Sequence, residues 1–289
     1  MNCPGIQQYQ EFFDENIILN FPHTSNDIIA AETFSKDLGA VRVRALRQKP
    51  TQMQTINAIK LLDALKSIHH NVCLFIVLFF VNGVPFFLTM SENIGLRKNE
   101  LIPDRNSDFI ITANQSATKM RTQHGFDVMF IDADVEFNYI KNKMPMNDSI
   151  IPFNILDKDV NNYPAEQSIH IVKEHVRFII QSLPFDCMPK AIIRGCVFES
   201  VSKLNRLLRA KVVSKTISPA TKVTNALKLD YNHLTLSFGN YVEVHEDNGF
   251  QTNSSITCGT PAITLQPMHD STERHQFFSL ETGHILPRG

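Results

Sequence analysis

Asp132, Asp134 and Glu136 stand together in "MFIDADVEF", and Glu166 follows a little over 30 residues later in "PAEQSIHIVKEHVR". Carboxylates are hard oxygen ligands. Acids that converge from two elements can hold the pair of divalent ions that clamps the attacking and leaving oxygens in phosphoryl transfer. The same residues elsewhere solvate a turn or favour the positive end of a helix dipole, and spacing alone does not separate the two readings. A second group with chemical potential is basic: residues 189–222 carry Lys190, Arg194, Lys203, Arg206, Arg209, Lys211, Lys215 and Lys222 against the single acid Glu199. Such a stretch attracts phosphates through counterion release, or it is a solvated helix face and linker. The formal net charge is only -1, so any affinity for nucleic acid has to be local. No Gly-x-Gly-x-x-Gly, Walker-type or Gly-x-Ser-x-Gly motif points to a nucleotide or acyl-transfer enzyme.

These groups need elements to position them. "VCLFIVLFFVNGVPFFLTM", residues 72–90, is the most apolar stretch, but Asn82-Gly83 interrupts it well short of the roughly 20 residues of a membrane span. Asn-Gly between two β-branched and aromatic runs predicts a tight hairpin, with strands at 72–81 and 84–90. A helix follows, capped by Ser107 and ended by Gly125, and then the strand 127–134 that carries Asp132 and Asp134. A further strand is expected in "SIIPFNIL". Ala165, Ile169, Val172, Val176, Ile179 and Leu183 recur at helical spacing, so 165–183 is a helix with one buried face. Glu166 falls in its first turn, and His170, Lys173 and Arg177 follow on the same face. Another helix is opened by Pro189. From about 229 the period changes to two, with Leu234, Leu236 and Phe238 alternating, then residues 241–244, "AITL", "FFSL" and "HIL".

This order predicts an α/β domain with a mixed sheet, because the hairpin demands antiparallel neighbours, followed by a small all-β module. The boundaries read as an N-terminal arm at 1–68, the α/β core at 69–210, a linker at 211–228 and the β module at 229–289. The five cysteines are scattered, without a Cys-x-x-Cys pair, which suits reduced thiols in the nucleus or cytoplasm. No secretory signal is expected from "MNCPGIQQYQEFFDEN", and no membrane partner.

Six segments, "LFFVNGVPFFLTMSENIGLR", "MFIDADVEF", "EQSIHIVKEHVR", "LPFDCMPK", "LKLDYNH" and "FGNYVEVHED", resemble in this order the integrase region of copia-type LTR retrotransposon polyproteins. They run from Leu78 to Asp247. The resemblance implies an RNase H-like catalytic core followed by an SH3-like β module, here cut short at "HILPRG". It implies joining of retroelement DNA to target DNA by an Asp, Asp, Glu triad with two Mg2+ ions, and as partners those DNAs and further copies of the chain. The family's second aspartate falls on Asp134, with Asp132 two residues away as the alternative, and its glutamate on Glu166. Lys173 and Arg177 match the family's basic positions on the face that meets the DNA end, and Arg206, Arg209 and Lys211 belong to the separate basic stretch expected to contact DNA.

The first aspartate belongs on the first hairpin strand, six residues before the turn glycine, where this chain has Val77. No Asp or Glu lies anywhere from Ala64 to Ser91. Other departures are Glu166-Gln167 in place of Glu-Arg, His170 and His175 at positions that tend to be arginine, and an amino end without a His/Cys zinc signature. The expectation is therefore an integrase fold with impaired catalysis, or a DNA- or protein-binding scaffold derived from it.

Overall fold

The computed structural model describes residues 69–103, 107–141, 151–156, 163–184, 188–207, 218–224, 236–245, 259–268 and 274–288. The expected arm at 1–68, and Arg209 and Lys211, lie outside the described residues. Contacts divide the described chain into two units, one holding 69–178 and 200–224, the other 179–199 and 236–288.

The first unit contains a five-stranded sheet in the order β3-β2-β1-β4-β5. Its hairpin joins β1 (Asn71–Val81) to β2 (Val84–Ser91), with Val81 paired to Val84. Asn82 and Gly83 take φ of 47 and 78, the left-handed pair that a two-residue turn needs to match strand twist. β3 (Arg97–Leu101) adds antiparallel to β2, while β4 (Asp127–Asp134) and β5 (Phe153–Leu156) run parallel to β1. Between β3 and β4 runs α1 (Ser107–Gln123). Gly125 at φ 82 ends it, with the Phe126 N–H donating to the Arg121 carbonyl at 3.1 Å. A 3-10 turn (Val135–Phe137) and α2 (Asn138–Lys141) follow β4.

One face of the sheet builds the core. Val72, Leu74 and Ile76 of β1 pack with Ile110 and Ala113 of α1, and with Ile131, Ala133, Phe137 and Ile140. Each fully buried Leu, Ile or Phe in such a cluster contributes about 1.5–3 kcal/mol. The other face meets α3 (Tyr163–Ser182) and, through residues 200–206, α4 (Lys190–Arg206): Arg97 Nε donates to Ser168 Oγ at 2.7 Å, and Asn205 holds the Arg97 backbone. Within the segment expected as a linker, α5 (Pro219–Thr224) buries Val223 in the core.

The second unit contains a four-stranded antiparallel meander, β6 (Tyr241–His245), β7 (Gly259–Pro267), β8 (His275–Ser279) and β9 (Ile285–Arg288). Val244, Ala262 and Phe277 form its core, with Val242 against them. On α4, a Cβ added at Gly195 would stand 3.0 Å from Phe238 and 3.2 Å from Leu265, so glycine permits that approach. The mixed sheet with flanking helices and the separate β module expected from the sequence are therefore both present.

Two local expectations change. Leu236 and Phe238, expected in a strand, lie in a bend and turn; Gly239 has φ 87 and donates to the Thr264 carbonyl at 2.8 Å. Leu234 lies outside the described residues. β3, "RKNEL", has no counterpart in the sequence reading, because a short charged edge strand lacks the apolar alternation that marks a buried one.

Candidate functional site

β1 and β4 decide where the acids point. Val72 pairs with Val128, but Cys73 pairs with Phe130, so Met129 is an extra residue in β4. This bulge shifts the register by one, and a one-residue shift changes which residues of the two strands share a face. Beyond it Phe75 stands opposite Asp132 and Ile76 opposite Ala133. Continued one step beyond that last pair, the same register would bring Val77 opposite Asp134, on the face away from the α1 core.

Asp132 and Asp134, both half-buried, occupy different rows across the sheet. The row of Asp132 runs Arg97, Met90, Phe75, Asp132, Asn154. In it the Asp132 carboxylate accepts from the Cys73 thiol at 3.4 Å and from Asn154 Nδ2 at 3.1 Å. Asn99, Leu88 and Val77 pair across the next row, and Asp134 pairs with Leu156. Asp132 is thus tied to the strands on either side. Glu136 is exposed in the 3-10 turn.

Val77 is 5% exposed and contributes only hydrocarbon. Glu166 is exposed in the first turn of α3, beside Ala165, which is buried with Ser168, Val172 and Val176. Among the described residues no three His, Cys, Asp or Glu side chains group closely enough to hold a metal ion. A two-magnesium centre needs several hard oxygens, at least one of which bridges both ions, and Val77 supplies none.

The basic positions are on helices. Lys173 is half-buried and Arg177 exposed on α3, and Arg206 is half-buried at the end of α4. His170 pairs with Glu174 at 3.0 Å. Among the described residues no helix is long and apolar enough to cross a membrane.

Burial, and next the charge of Asp132, push the Cys73 thiol far above the ordinary range, and burial pushes Cys196 up to about 12. The thiolate is the reactive form, so both cysteines are expected to resist alkylation at about pH 8 until the protein is denatured. Peptide mapping by mass spectrometry checks this; labelling of Cys73 at the denatured rate would contradict the packing described. A buried arginine was the feature hardest to foresee: Arg121 of α1 is 1% exposed, although arginine is a surface residue by default.

No protein-family model and no curated protein matches the chain. Among solved structures it is similar to the catalytic core domain of BIV integrase, with a TM-score of 0.39 and 13% identity over 54% of this chain and 94% of that one. It is also similar to the HTLV-2 integrase catalytic core domain in complex with magnesium, with a TM-score of 0.36 and 13% identity over 54% and 96% of the two chains.

Proposed function

We propose that the chain derives from a copia-type retrotransposon integrase whose strand-transfer centre has lost its first carboxylate, and that it persists as a fold with impaired catalysis. The observation that supports this reading is the buried Val77 on β1, one step beyond the Ile76–Ala133 pair that aligns β1 with the strand of Asp134. In this reading Asp134 and Glu166 are the remaining ancestral Mg2+ ligands, Asp132 is structural, and the β6–β9 meander is the remnant of an SH3-like module. A non-enzymatic scaffold is supported by the same valine. Its contact surface is Lys173, Arg177, Arg206, Arg209 and Lys211, with DNA as partner.

The test is a strand-transfer and nicking assay on labelled duplex DNA with magnesium or manganese. No product above the protein-free control is expected, and metal-dependent product that disappears in Asp134→Asn would overturn the claim of a lost centre. For the scaffold, each neutralised phosphate contact is expected to lower the salt slope of DNA binding by about 1. Binding that is indifferent to salt and to loss of Arg206, Arg209 and Lys211 would remove that surface.

A further inference from the structure

β3 is an edge strand, and edge strands expose unpaired N–H and C=O groups that can template pairing with another chain. The ladder shows which groups these are. Ser91 N–H donates to the Leu96 carbonyl at 2.9 Å, and Ile102 N–H to the Pro85 carbonyl at 3.3 Å. Antiparallel pairs alternate between hydrogen-bonded and non-hydrogen-bonded. The pairs Met90–Arg97, Leu88–Asn99 and Phe86–Leu101 are therefore of the second kind, and Arg97, Asn99 and Leu101 turn their backbone groups outward.

The outward groups of Arg97 are both taken by a single side chain. Arg97 N–H donates to Asn205 Oδ1 at 2.8 Å, and Asn205 Nδ2 donates to the Arg97 carbonyl at 2.6 Å. The amide offers one acceptor and one donor at the spacing of a peptide group, as a neighbouring strand would.

We infer that Asn205 caps the outer edge of β3 and closes it to pairing with a second copy of this chain. Self-pairing is the alternative that the sequence of the strand favours. In an antiparallel pair of β3 strands centred on Asn99, Lys98 of each copy, which pairs with Glu100 of its own chain at 2.7 Å, faces Glu100 of the other, so no like charges oppose each other beside the centre. The hydrogen-bonded rungs of that pair would be Asn99 with Asn99, and Arg97 with Leu101 twice. Because Arg97 takes part in both outer rungs, one amide per copy blocks two of the three rungs and leaves the central one alone.

Self-association of the full chain, followed by sedimentation equilibrium over a range of concentrations, tests this. Asn205→Leu removes the cap and is expected to tighten self-association by about tenfold for each rung regained. Leu101→Pro, added to it, removes an outward N–H without touching the bonds to β2, and is expected to cancel the gain. If Asn205→Leu does not fold, as judged by circular dichroism, Asn205→Asp serves: it keeps the acceptor, loses the donor, and is expected to tighten association in the same direction. A folded variant that associates no more tightly than the unaltered chain overturns the inference, as does a gain that survives Leu101→Pro.

Discussion

Val77→Asp is expected to increase the stabilisation that divalent cations give the folded chain. Without metal the substitution places a carboxylate where a 5% exposed valine packs, next to Asp134, and such burial costs roughly 1–3 kcal/mol. With metal the carboxylates at positions 77 and 134 supply hard oxygens, and a ligand that binds only the folded state adds about 2.7 kcal/mol at a hundred times its Kd. The variant should therefore melt below the unaltered chain in chelator and regain or exceed that temperature in magnesium or manganese. The row assignment sharpens the test. Asp134→Asn in the Val77→Asp background should abolish the metal response, while Asp132→Asn should preserve it, because Asp132 is held by Cys73 and Asn154. A response that depends on Asp132 and not on Asp134 would sink the register argument. No response in a folded Val77→Asp variant would show that the centre has lost more than one ligand.

Arg121→Ala should produce the largest loss of stability among single substitutions in α1, roughly 3–5 kcal/mol. The guanidinium donates from Nε to Ser91 Oγ at 2.6 Å, and from its two terminal nitrogens to the Ala117 carbonyl at 2.8 Å and the Leu96 carbonyl at 3.4 Å. It thereby ties the last turn of α1 to the turn between β2 and β3. These partners are all neutral, and burial pushes the group down to about 9, so it remains a cation at neutral pH held by oriented dipoles. The negative end of the α1 dipole assists, since Arg121 lies in the last turn. Alanine leaves a cavity and removes the donor to the Ser91 hydroxyl, while the Leu96 carbonyl keeps the Ser91 N–H. Arg121→Met, which fills much of the volume and buries no charge, should cost clearly less than Arg121→Ala. Urea unfolding with a shared slope measures both; equal, small losses in the two variants would mean that the three hydrogen bonds contribute little.

The candidate site shows how far residue order reaches. The hairpin was legible because Asn82-Gly83 has one favoured backbone geometry, and α3 because its apolar residues keep helical spacing over several turns. The absence of acids around Val77 is a property of the sequence itself. The register that relates Asp132 and Asp134 to β1 was not legible, because it depends on the bulge at Met129, which exists only once β4 pairs with β1.

By itself, the sequence determined the fold class, a mixed α/β sheet with a separate all-β part, the hairpin and the main helices, and the hydrocarbon at position 77, all of which rest on local periodicity, turn chemistry or side-chain identity. Tertiary structure alone decided the place of β3 at the sheet edge, the burial of Arg121, the bulge that sets the register of β1 against β4 and the capping of Arg97 by Asn205. Each of these is a pairing between residues far apart in the chain, and the free energy that selects it comes from burial and hydrogen bonds that no short window of sequence contains.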